Sequence, residues 1–264
     1  MYTIKACIVE KLINSWMQLN IVHSTDMLML FNSFNSAKLV SLDYYHYSDW
    51  TVKVSELNLE YKVLSSFVDS SSPFIVEYAL VRVGSRLDFK NFLKILNNHK
   101  NVLSIDAIKP INSTYPRLLM MIVRGDYADS TRFKAHILGG SEVGYSTSGG
   151  VEHWSFLFPS SEAINMFIGI ISGNGEVSRV REMALDPEGI IAAVVRSKVK
   201  LLLSSDEEKL LRIAHERGLF DTPRRSSLSQ LAKELGVSES TLSRNLSKII
   251  KKILNTIIDD EFSS

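Results

Sequence analysis

Leu231-Ala232-Lys233-Glu234-Leu235-Gly236-Val237-Ser238-Glu239-Ser240-Thr241-Leu242-Ser243-Arg244 reads as the end of one helix, a tight turn and the start of another. Ala232 is small enough for two helices to cross closely. Gly236, four residues on, tolerates the positive φ that a sharp turn needs. Apolar Val237 is expected to plug the core. Ser238 is a helix cap, and the helix it opens begins at Glu239 and extends to about Ile258. Leu242 and Leu246 would anchor that helix inward.

Working toward the N-terminus, Ser227-Leu228-Ser229-Gln230 is a capping box that opens a short helix through Leu235. Its inward residues are Leu228, Leu231, Ala232 and Leu235. Before it lies the polar connector Asp221-Thr222-Pro223-Arg224-Arg225-Ser226. Gly218 is expected to stop a preceding helix, with Leu219 and Phe220 packing down after it. That helix would open at Ser205-Asp206-Glu207-Glu208, with Ser205 as cap and Glu208 reaching back. Leu210, Leu211, Ile213 and Ala214 give it an inward face.

Three capped helices with this turn between the last two have the spacing of a helix-turn-helix. The outer face of the last helix then carries Ser238, Glu239, Ser240, Thr241, Ser243, Arg244, Ser247 and Lys248. These positions reach base edges and phosphates when a recognition helix enters the major groove. Arg244 can donate two bonds to guanine. Hydroxyls and a helix N-terminus hold phosphates, and Arg224 and Arg225 are candidate phosphate contacts. Between Pro223 and Lys252 there are seven basic residues and two acidic ones, a local charge of +5 in a chain whose net charge is +1. Localised positive charge is the footprint of a nucleic-acid contact. A Lys-rich face on an ordinary three-helix bundle is the bland alternative.

The segment from Leu210 through Arg225, with its Gly218-Leu219-Phe220-Asp221-Thr222-Pro223-Arg224-Arg225 connector, and the segment from Leu231 through Ser243 together resemble the bacterio-opsin-activator type of helix-turn-helix of archaeal regulators. The resemblance covers roughly residues 203–254. It implies a sequence-specific archaeal transcription regulator that binds double-stranded DNA. Trp154, Phe156, Phe158-Pro159 and Phe167 are similar, less specifically, to the α+β domain that accompanies this element in family members.

The rest of the chain is rich in β-branched and aromatic residues. Residues 74–83 read as a strand, broken by Gly84-Ser85, and a helical pattern follows at Phe89, Phe92, Leu93 and Leu96. Residues 102–108 and 118–123 are further strands. A similar order recurs: 154–158 as a strand, a helix capped by Ser160 or Ser161 and carrying Ile164, Phe167, Ile168 and Ile171, a Gly173-Asn174-Gly175 turn, and a strand over 177–185. Two strand–helix–strand units imply an α+β fold. We expect an N-terminal α+β sandwich of ferredoxin-like or ACT-like units over 1–198, with a regulatory or dimerising role, followed by an all-α helix-turn-helix domain over 199–264. The glycines at 139–150 lack the Gly-Lys-Ser/Thr ending of a phosphate-binding loop and read as hairpin turns.

Composition bounds the function. One cysteine, Cys7, excludes an intrachain disulfide. No secretory leader is evident, and no uncharged run reaches the roughly 18 residues of a membrane span; the expectation is a cytoplasmic protein without membrane contact. The six histidines, 23, 46, 99, 136, 153 and 215, show no ligand spacing, so no metal site is expected. No nucleophile elbow frames a serine, so no catalytic residue, cofactor or enzymatic activity is expected. Residues 43–50, Asp-Tyr-Tyr-His-Tyr-Ser-Asp-Trp, could line a pocket for a small-molecule effector or simply pack as a half-exposed strand. The apolar stripe Ile249, Ile250, Ile253, Leu254, Ile257 and Ile258 could close the bundle, pack on the N-terminal domain or pair with a second subunit; the homodimer is the expectation, since it would match paired half-sites. The alternative for the trihelical segment is an interaction module that binds RNA polymerase or another part of the transcription machinery.

Overall fold

In the computed structural model, residues 37–68, 74–126 and 129–258 are described. Two compact units meet between Val194 and Val195. The junction falls inside a helix rather than in a loop.

The first unit is built on one antiparallel sheet of eight strands. In chain order its elements are β1 (Lys38–His46), α1 (Trp50–Lys53), β2 (Leu59–Val68), β3 (Phe74–Val83), α2 (Arg86–Asn97), β4 (Val102–Pro110), β5 (Arg117–Asp126), α3 (Thr131–His136), β6 (Ser141–Ser148), β7 (Val151–Phe158), α4 (Ser161–Ile171) and β8 (Gly175–Ala184). The order across the sheet is β4-β5-β3-β2-β6-β7-β1-β8.

Two halves of like topology make up this order. In the first, β3 crosses over through α2 to β4, and β5 lies antiparallel between them. In the second, β7 crosses over through α4 to β8, and β1 takes the place that β5 holds in the first half. A strand from before the first half therefore completes the second. The seam between halves is short: β2 and β6 pair only at Tyr61↔Thr147 and Lys62↔Ser146. The two strand–helix–strand units expected from sequence are present. β2 and β6, which help complete the halves, are strands beyond those the sequence pattern predicts, and β1 carries the possible half-exposed strand at 43–50 back to Lys38.

The strands alternate as period-2 burial requires. Val40, Leu42 and Tyr44 of β1, Tyr61 and Val63 of β2, and Trp154, Phe156 and Phe158 of β7 all face one core. The helices cover that face. Phe92 and Leu96 of α2 and Ile164, Phe167 and Ile171 of α4 join the same cluster. Ser85 caps α2 and Ser160 caps α4 through their hydroxyls. Gly149 and Gly150, both at positive φ, make the β6–β7 hairpin turn. Gly139 turns between α3 and β6, and Gly144 sits inside β6 at a register shift, so neither belongs to a hairpin turn.

Helix α5 (Pro187–Leu202) carries the chain across the junction. The second unit then holds α6 (Ser205–Glu216), α7 (Leu228–Glu234) and α8 (Glu239–Ile258). Its core is Ala214, Leu219, Leu231, Ala232, Leu242 and Leu246, with Leu210, Ile213, Leu228 and Leu235 packed against it. None of the described helices is long and apolar enough to cross a membrane.

Candidate nucleic-acid interface and a buried carboxylate cluster

The capping residues set the second unit's geometry. Ser227 accepts from the Gln230 N–H at 3.1 Å, and Gln230 accepts from the Ser227 N–H at 2.8 Å. The box expected at Ser205 and Glu208 lies one residue earlier: Ser204 accepts from the Glu207 N–H at 3.3 Å, and Glu207 accepts from the Ser204 N–H at 2.8 Å. In that register Glu208 turns to Lys200 at 2.9 Å and Arg212 at 3.0 Å. Burial works against its ionised form, but those two cations hold the Glu208 carboxyl below its ordinary range.

Gly218, at φ +70°, ends α6. The connector closes back on it: the Arg225 N–H donates to the Gly218 carbonyl at 3.1 Å, and the Arg225 guanidinium pairs with Asp221. A bidentate Arg217–Glu234 pair ties the end of α6 to α7. Lys252 pairs with Glu207, joining α8 to α6. Gly236, at φ +68°, makes the turn into α8. Ser238 then accepts from the Thr241 N–H at 3.1 Å and caps α8 as expected.

Two expected core contacts do not form. Val237 is 42% exposed and Phe220 is 46% exposed. Leu219 is buried ahead of Phe220, and Leu242 and Leu246 occupy the core beneath the turn. The Val237 backbone N–H donates to the Ala232 carbonyl at 3.0 Å.

Helix α8 divides cleanly in its first half. Leu242, Leu246 and Ile249 are buried. Ser238, Glu239, Ser240, Thr241, Ser243, Arg244, Ser247 and Lys248 are all exposed, as are Arg224 and Arg225. Ser240, Arg244 and Lys248 fall four residues apart on one ladder of the helix. Among the described residues Arg224, Arg244 and Lys248 have no carboxylate partner, whereas Arg225 is committed to Asp221. Further along, Ile250 and Leu254 are exposed, and the side chains of Ile257 and Ile258 lie outside the described residues.

The first unit holds a constellation that no sequence spacing announced. His46, at the end of β1, is 3% exposed. Its Nδ1 lies 3.6 Å from Glu152 Oε1 and 4.0 Å from Asp49 Oδ2. Its Nε2 lies 3.3 Å from Asp129 Oδ2. Glu152 also accepts from the Thr51 hydroxyl at 3.1 Å and the Trp154 indole N–H at 2.7 Å. Asp129 accepts from Lys134 at 2.8 Å and Asn174 at 2.6 Å. Burial disfavours the imidazolium, but the bonds to Asp129 and Glu152 and the surrounding carboxylate charge outweigh it and push His46 up to about 10. Burial and the Glu152 charge push Asp49 up to about 7. Burial also opposes the Asp129 carboxylate, yet its bonds from His46 and Lys134 hold it well below the usual range. His46, Asp49 and Trp50 of the 43–50 segment line a cavity of about 70 Å³ beside this cluster. His46 is thus a buried histidine held among three carboxylates. The alternation of Val40, Leu42, Tyr44 and His46 was the available signal that its ring points inward.

Comparison with known proteins bears on the second unit. Residues 203–255 match the family described as an HTH DNA binding domain. The dimethyl sulfoxide reductase transcriptional activator of Haloferax volcanii is 36% identical over 59 residues, which are 22% of this chain and 28% of that protein. The transcriptional regulator NarO of the same organism is 35% identical over 57 residues, 22% of this chain and 27% of that protein. The likeness thus spans little more than a quarter of each relative and lies in the C-terminal region. That region carries a helix-turn-helix of the bacterio-opsin-activator type.

Proposed function

We propose that the protein is a sequence-specific, DNA-binding transcription regulator of archaeal type that reads the major groove of double-stranded DNA with the first half of α8. The observation that carries this is the two-sided helix. Leu242 and Leu246 are 1% and 5% exposed, while the opposite side offers to solvent hydroxyls and two cations that are unpaired among the described residues, within the segment matched as a DNA-binding domain. Arg244 is the base-reading candidate. Ser238, Glu239, Ser240, Thr241, Ser243, Ser247 and Lys248 surround it, and Arg224 and Arg225 flank it as phosphate contacts. A regulator of this kind works where the DNA is, which favours the cytoplasm and no membrane contact. Its N-terminal domain, over about 1–198, takes the regulatory or dimerising role, and it needs no catalytic residue or cofactor for DNA binding itself. The β-α-β crossovers, each split by an antiparallel strand, are compatible with ferredoxin-like or ACT-like halves.

The test is selection of bound genomic fragments, followed by fluorescence anisotropy on a selected duplex and a scrambled one. Arg244→Ala should cost about 1–3 kcal/mol on the selected duplex and relax its base preference. Unchanged affinity for the selected site would remove Arg244 from the reading face. A protein-binding role for the same unit, toward the transcription machinery, is favoured by exposed Ile250 and Leu254. Equal affinity for both duplexes would turn the assignment that way.

A further inference from the structure

We propose that His46, Asp49 and Glu152 form a binding site for one divalent transition-metal ion, with Asp129 holding the His46 ring in place. The site belongs to the first unit and stands or falls independently of what α8 contacts.

The donor geometry comes first. His46 Nδ1, an Asp49 oxygen and a Glu152 oxygen all lie within 4.8 Å of one another. Donors about 2.0–2.2 Å from a shared ion sit about 3–4 Å apart, close to the 3.6 Å and 4.0 Å found here. Small side-chain adjustments would bring all three onto one ion.

The far side of the imidazole is arranged as metal centres arrange it. A metal-bound histidine almost always gives its other ring N–H to a carboxylate or carbonyl. His46 Nε2 faces Asp129 at 3.3 Å, and Asp129 is itself fixed by Lys134 and Asn174. With Lys134 beside Asp129, the remaining pair of carboxylates, Asp49 and Glu152, shares a single imidazole. A dication at Nδ1 would take the place of the imidazolium proton that otherwise faces Asp49 and Glu152.

The cavity gives an independent indication. Its volume of about 70 Å³ suits an ion with a water or two, and falls well below the few hundred Å³ of a site for an organic ligand. Arg132 lines the same cavity and is 5% exposed. Its guanidinium bonds Glu77 and Glu142 and lies against the Tyr145 and Trp154 rings, yet among the described residues its Nη2 has no hydrogen-bond partner. A buried donor on this wall is suited to an oxygen ligand held on the open side of an ion. One imidazole nitrogen with two carboxylates, and no thiolate, favours Mn²⁺, Fe²⁺ or Zn²⁺. Ca²⁺, which takes six to eight oxygens, is poorly served.

The full chain, stripped with a chelator, is titrated calorimetrically with Mn²⁺, Zn²⁺ and Ca²⁺. One equivalent of Mn²⁺ or Zn²⁺ should bind at micromolar concentration or tighter, with Ca²⁺ much weaker. Asp129→Asn should weaken binding about 10–100-fold while leaving the ligands intact, and Glu152→Gln should abolish it. Glu152 also holds Thr51 and Trp154, so a readout on the unmodified chain accompanies the variants. Mn²⁺ should broaden amide resonances around His46, Asp49 and Glu152 first. No uptake of either transition ion, broadening centred elsewhere, or tighter binding of Ca²⁺ than of both would overturn the proposal.

Discussion

Arg224 and Arg225 are neighbours in the chain and differ in what they do. Arg225 is spent twice on the connector, through its N–H to Gly218 and its guanidinium to Asp221. Arg224 is exposed and unpaired among the described residues. If both touch phosphate, Arg224→Ala should weaken binding to every duplex alike and reduce the slope of log K against log salt by about 1, with the thermal midpoint unchanged. Arg225→Ala should lower the midpoint as well, because the loop loses its clasp. Anisotropy titrations at several salt concentrations, paired with thermal unfolding, separate the two. A slope that neither substitution moves would take the connector off the DNA backbone.

At the scale of the element, the second unit depends on two glycines in the left-handed region, and their surroundings differ. A Cβ on Gly218 would meet Arg225 Nε and Asp221 Oδ2, each at 2.6 Å; on Gly236 it would meet nothing within 4 Å. Both alanine variants bear the left-handed penalty of about 1–2 kcal/mol. Only Gly218→Ala must also displace the Asp221–Arg225 clasp, so it should be the more destabilising of the two by urea unfolding. Equal losses would show that the clasp yields without cost. Helix α7 offers a second measure. Ser227→Ala removes the acceptor of the Gln230 N–H, and it should cost about 1 kcal/mol, the usual worth of such a cap.

For the whole molecule, the second half of α8 bears on assembly. Ile250 and Leu254 stay exposed on α8 beyond the DNA-facing half, at 38% and 45%. A second copy covering them would place two reading helices for two half-sites. Sedimentation should then show a dimer at micromolar concentration, and Leu254→Asp should convert it to monomer while the single-site contacts persist. A monomer throughout, for the unmodified chain, would remove the dimer and leave the stripe to another partner.

How legible each part was follows from the range of the forces involved. The helix-turn-helix was readable because its determinants are local. Ser227 with Gln230, Gly218, Gly236, Ser238 and the period of Leu242, Leu246 and Ile249 all act within a few residues, and the local excess of positive charge needs no coordinates. One-residue errors, such as the cap at Ser204 rather than Ser205, arise where two serines each have a glutamate three residues on and only packing selects between them. Burial of Val237 and Phe220 was not legible, since it depends on whether Leu219, Leu242 and Leu246 have already filled the space. The same limit hid the order of the sheet. β1 sits beside β7 and β8 through backbone hydrogen bonds that carry no residue-specific mark. Glu152 meets Thr51 101 positions away in sequence, and Asp129 meets His46 83 positions away. Such a cluster exists only once chain folding has brought distant strands together, so nothing in the spacing of those residues could disclose it.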